Sequence, residues 1–92
     1  MGGVILLWDL EDDPDGNIAH IAEHGITPSD VEEVFEDPGA SEDTSRSSGD
    51  PMTFGETLNG RYLAVVWELA NDDPRMVRVI TAYEAPRPRD WR

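Results

Sequence analysis

The side chains of this 92-residue chain that could do chemistry are few: two histidines, seven arginines, two tyrosines and a scatter of serines and carboxylates. There is no cysteine, so thiolate nucleophiles and disulfides are excluded. His20 to His24 reads HIAEH, which matches the inverted zinc-peptidase pattern of two histidines four apart on a helix with a glutamate as base. Gly25 should end that helix, and the chain offers no further histidine as a third ligand. His24 is then better read as a helix-terminal histidine facing the carbonyl end. Glu11, Asp13, Asp15 and Gly16 resemble the front half of a calcium loop, yet Pro14 takes the fourth position and Ala22 stands where a closing glutamate is needed. No metal and no cofactor are expected. A third set does not need a metal: Arg46 with Ser47 and Ser48, then Arg61, Arg75, Arg78 and Tyr83. Arginines with a histidine or tyrosine can hold an RNA phosphate and assist attack by the ribose 2′-hydroxyl. In that reading His24 is the acid or base, histidine being the side chain type suited to proton transfer near neutral pH. Arg61 and Arg78 stabilise charge on phosphorus, and Tyr83 orients a base or phosphate. Arg46, Ser47, Ser48 and Arg75 contact RNA or a partner. The competing readings are a cross-strand pair of Arg78 with Glu68, edge packing of Tyr83, and an arginine surface that docks an acidic segment of another protein.

Charge limits where such a site could lie. The formal net charge is −13, and residues 1 to 45 carry every unit of that excess, with acidic side chains and no basic one. An anionic ligand must therefore approach the second half of the chain. All seven basic residues are arginine, the side chain suited to forked recognition of phosphate or carboxylate. Acidity on this scale also fits a saline cytoplasm or a basic partner.

The elements that must position these residues are organised around Gly60 to Tyr83. This stretch reads as two long antiparallel strands joined by a turn at Asn71 to Pro74, because β-branched and aromatic residues flank a cluster of turn formers. Both faces of the first strand are largely apolar, so it should be central. Val4 to Trp8 reads as an edge strand and Met52 to Thr57 as another strand, turning at Asn59 and Gly60. Helices are expected near residues 14–24, capped by Asp13 or Asp15, and 28–36, opened by Thr27 and Pro28. Residues 38–51 form a loop or an irregular edge strand. Trp67 should be buried, with Val31, Val34, Phe35, Leu63, Val65 and Ile80 in one core. Size and apolar content (38%) suit a single domain spanning residues 1–92, with 86–92 as a mobile arm. No apolar run is long enough to span a bilayer, and no basic residue precedes the short run at Val4. A cytoplasmic protein that does not engage membranes is expected.

The segments WDLEDDPDGNIAHIAEHGITPSDVEEVFEDP, GRYLAVVWEL and VRVITAYE resemble the BrnT family of small toxins. Members of that family share a WD start, an N…HG segment, an EEVF.DP helix and a paired-strand GR…VV…RIISAR pattern. The likeness covers roughly residues 8–38 and 60–82. It implies a RelE-like α+β fold in which two short N-terminal helices pack on an antiparallel sheet of four or five strands. It also implies metal-independent ribonuclease activity and a ribbon-helix-helix antitoxin as partner. Tyr83 and Glu84 stand where such toxins carry a basic pair, and the chain is acidic where they are basic. These departures point to a protein that keeps the toxin fold and binds a partner without catalysis, with the ribonuclease as the alternative. In the catalytic reading, Arg61→Ala or Arg78→Ala abolishes cleavage and leaves the melting temperature nearly unchanged.

Overall fold

A computed structural model describes residues 4–87. The chain runs β1 (Val4–Leu7), α1 (Asn17–Ala22), α2 (Pro28–Glu36), β2 (Ser41–Thr44), β3 (Pro51–Glu56), β4 (Tyr62–Asp72) and β5 (Arg75–Glu84). One five-stranded sheet has the order β1-β5-β4-β3-β2. The architecture is α+β, as expected, and β4 lies at the centre.

The sheet is mixed rather than wholly antiparallel. β2, β3, β4 and β5 pair antiparallel through successive hairpins, whereas β1 runs parallel to β5, with Leu7 opposite Arg78. Hairpin turns leave a local signature, but a pairing between the first and last strands has none, so its direction was not readable from turn chemistry.

Helix α2 forms as its sequence dictates. The Thr27 hydroxyl accepts the Asp30 amide, the Asp30 carboxylate accepts the Thr27 amide, and Pro28 opens the first turn, a reciprocal capping box. Helix α1 is shorter than expected. It begins after Gly16, not at Asp13 or Asp15, because residues 13–16 close a turn in which Asp13 accepts the Gly16 and Asp15 amides. Gly25, at φ +74°, ends it with a left-handed residue. His24 thus lies in the turn beyond α1, not on the helix.

Both helices cover one face of the sheet. Ile21, Ile26, Val31 and Val34 pack there on Leu63, Val65, Trp67, Val77, Val79 and Ala82. Phe35 meets the Trp67 ring edge-on at 6.3 Å, and the buried indole N–H donates to the Thr53 hydroxyl at 2.8 Å. Ile80 does not join this core. Val66 pairs with Thr81 but Trp67 with Val79, so Ile80 is an extra residue on β5 at a bulge, and it packs with Met52, Ala64, Val66 and Phe54 on the helix-free face. Residues 41–44 form the short outer strand at the β3 edge, fully exposed. The arm expected from residue 86 lies outside the described residues from 88 onward. Arg87 itself is tied down, donating to Glu56 at 3.1 Å and to the Gly60 carbonyl at 2.7 Å.

Helix α2 sits close enough to β3 that a Cβ on Gly55 would lie 2.9 Å from the Val34 carbonyl oxygen. Gly55→Ala should therefore push the helix off the sheet at a cost of about 1–3 kcal/mol, a fall in melting temperature of roughly 5–15 °C for a domain this size. A thermal melt within about 1 °C of the parent would contradict that packing.

Candidate functional site

The sheet delivers the candidate residues to different places. Arg61 leaves the β3–β4 turn, where Gly60 adopts φ +90° and the Thr57 hydroxyl accepts the Arg61 amide. Its Nε donates to Glu84 at 2.8 Å and its Nη1 to the Gly25 carbonyl at 3.1 Å, with the Asp30 carboxylate 3.6 Å away. One guanidinium thus joins the end of β5, the loop between the helices and the first turn of α2. His24, exposed beside Gly25, is brought to the same end of the molecule, its ring edge-on to His20 at 5.9 Å. Tyr83 is opposite Ala64 in the β4–β5 register and so lies on the helix-free face, apart from that pair.

Arg78 belongs to a second assembly. Its Cα partner across β4 is Glu68, but its guanidinium bonds Asp9 at 2.7 Å. Asp9 in turn accepts the Asn17 amide at 2.8 Å, and the Asn17 side chain accepts the Asp9 amide at 2.9 Å. Asn17 is buried and donates its two remaining hydrogens to the carbonyls of Leu7 and Val79, each at 3.0 Å. A buried amide whose donors and acceptor are all matched costs little and fixes its neighbours. The loop after β1 is thereby sewn to β5 and α1. Beside it lies a shallow cleft of ≈ 250 Å³ lined by Asp15, Gly16, Asn17, His20, Arg78 and Ile80. The histidine that shares a cleft with Arg78 is therefore His20, not His24.

Arg46, Ser47 and Ser48 occupy the exposed β2–β3 turn. By register this turn and the β4–β5 turn project from the same end of the sheet, where the Arg75 guanidinium lies 5.3 Å from the Trp67 ring centroid. Arg61 and His24 are at the opposite end. The expected tetrad His24, Arg61, Arg78 and Tyr83 does not converge. The residues that sequence reasoning left out of the arginine site are Asp9, Asn17 and His20, the last weighed there only as a zinc ligand. Asp9 and Asn17 sit in the WD start and N…HG segment, but neither segment states that their side chains meet.

Among the described residues no group of three or more His, Cys, Asp or Glu is placed to hold a metal. A second cleft, of ≈ 460 Å³, lies between the end of α2 and the β3–β4 turn, among Glu33, Glu36, Asp37 and Glu56. Asp37 accepts the Glu56 and Gly39 amides, and Glu33 accepts the Leu58 amide. These carboxylates bind the turn and the helix end to each other.

Residues 18–84 match the family described as Domain of unknown function (DUF4258). The chain belongs to this family. No curated protein matches it. The DUF4258 match takes in the Arg61 clamp and both histidines, and leaves β1 and Asp9 outside.

Arg61 is thus built into the fold rather than held free for a ligand, which corrects the expectation that its removal leaves stability unchanged. Arg61→Ala should cost about 1 kcal/mol, since three groups share one guanidinium but its bonds to Glu84 and Gly25 lie in solvent. Arg46→Ala, on an exposed turn, should stay within about 0.5 kcal/mol of the parent. Urea unfolding of the two variants checks this, and equal midpoints would refute the clamp.

Proposed function

We propose that this chain is a protein-binding module with a BrnT/RelE-like toxin fold that engages a basic partner in the cytoplasm and carries out no reaction of its own. One observation carries this reading: four of the five arginines among the described residues, all but Arg46, are already engaged by the protein's own side chains. Arg61 is held by Glu84 and Asp30, Arg78 by Asp9 and Arg87 by Glu56, while Arg75 stacks on Trp67. What is left at the surface is predominantly carboxylate. Phosphate contacts dominate protein–RNA affinity and need free cations, whereas an acidic surface draws in a basic protein. No helix of the described residues is long and apolar enough to cross a membrane. The toxin likeness rests on the sequence segments quoted above, and two short helices on a five-stranded sheet accord with it at the level of architecture. A ribbon-helix-helix antitoxin is the partner that likeness suggests, and any basic protein meets the same electrostatic requirement.

The second reading is a metal-independent ribonuclease toxin. It is favoured by the shared cleft of His20 and Arg78, which pairs an imidazole, the commonest general acid–base side chain, with a guanidinium. Induced expression in growing cells separates the two. The binding module should leave growth and cellular RNA intact. Growth arrest with RNA cleavage, lost in both His20→Ala and Arg78→Ala, would transfer the assignment to the ribonuclease.

A further inference from the structure

The face of the sheet without helices contains a small cleft of ≈ 260 Å³, lined by Ser41, Glu42, Asp43, Phe54, Tyr62 and Pro86. Its floor is aromatic. Phe54 on β3 and Tyr62 on β4 stack with ring centroids 6.2 Å apart and planes 20° from parallel. Its rim is acidic. Both acidic residues come from the exposed strand β2: Asp43, opposite Met52, shares the face of Phe54, whereas Glu42, opposite Thr53, borders the cleft from the other side of the strand, and neither carboxylate is in an ion pair among the described residues. Ring faces carry negative potential, and carboxylates accept charge-assisted hydrogen bonds, so this combination suits a cation. A guanidinium suits it best, being planar, weakly hydrated and able to stack while it donates sideways. The chain makes the same choice within itself: the Arg87 guanidinium lies 5.6 Å from the Tyr62 centroid while bonding Glu56. The cleft is below the range of about 300–1,000 Å³ typical of small-molecule sites. Its size fits the head of one side chain rather than a free metabolite.

We propose that this cleft receives an arginine side chain of a partner protein, stacked on Phe54 and Tyr62 and paired with Asp43, with Glu42 adding negative charge from the strand edge. The proposal rests on the binding-module reading and names the chemistry by which the partner is recognised. Charge complementarity selects the occupant. The cleft wall is acidic on a protein of net charge −13, which opposes a second copy of the chain and favours a basic partner.

The test is an NMR titration of the full chain with N-acetyl-arginine amide, using N-acetyl-citrulline amide as the neutral isostere. Saturable shifts of the Phe54 and Tyr62 ring resonances are expected for arginine, with citrulline roughly tenfold weaker. The double variant Glu42→Gln/Asp43→Asn should weaken arginine binding by about the same factor, and added salt should weaken it further. Phe54→Leu, which keeps an apolar side chain while removing the ring face, guards against loss of folding. Equal binding of citrulline, unchanged binding to the double variant, or shifts confined to α2 would overturn the proposal. So would binding that appears only after Arg89→Gln/Arg92→Gln, since the cleft would then belong to the chain's own arginines. If a captured partner binds the double variant and Phe54→Leu as tightly as the parent, the cleft assignment fails and the binding-module reading stands. If arginine amide fills the cleft and induced cells still arrest with cleaved RNA, the cleft chemistry stands and that reading fails.

Discussion

Leu63, Val65 and Trp67 face the helices while Ala64 and Val66 face away, and all five are buried. A strand that is apolar on both sides has to lie at the centre of a sheet and be covered twice. β4 meets this requirement by pairing with β3 and β5 and taking the helices on one side. On the other side a smaller apolar cluster gathers around Met52, Phe54 and Ile80. The bulge opposite Trp67 serves the same end: by adding one residue to β5 it lets Val77 and Val79 before it and Ala82 after it all face the helices. Every candidate functional side chain is then confined to the sheet ends, the outer edges or the open face.

Electrostatics decides what those side chains can do there. With twenty carboxylates and seven arginines, an arginine emerging at a strand end is surrounded by acceptors. Arg61 finds Glu84 and Asp30, and Arg78 finds Asp9. Each such pair contributes modestly to stability in solvent, but each uses donor capacity that a phosphate ligand would need. The same arithmetic leaves Asp43 without an ion pair among the described residues at the rim of an aromatic cleft, where the matching ligand is a cation. A fold that resembles a toxin can thus present an opposite chemical preference through its side chains alone.

Much of this architecture was legible in the sequence, since the signals were local. The β4–β5 hairpin was marked by its turn formers, α2 by Thr27, Pro28 and Asp30, and the end of α1 by Gly25. What escaped was long-range. The parallel pairing of β1 with β5 joins segments about seventy residues apart and has no turn to announce it. Ile80 is apolar and β-branched like its neighbours, but it lies on the face away from Val77, Val79 and Ala82 and packs in the smaller cluster. The candidate site suffered most: the arginine types were right for phosphate, but whether a guanidinium is free or already paired depends on which carboxylates the fold brings beside it. Asn17 lay unread within a helix start, although its four matched hydrogen bonds with Asp9, Leu7 and Val79 hold the Arg78 assembly in place.

The central claim, that Arg61, Arg78 and Arg87 are held by the chain's own carboxylates, is tested most directly by the affinity of the chain for single-stranded RNA as a function of salt. Fluorescence anisotropy of a labelled oligonucleotide should show no saturable binding at about 0.15 M ionic strength and only a shallow dependence below it. Micromolar or tighter binding there, with a salt slope that reports several phosphate contacts, would contradict the account.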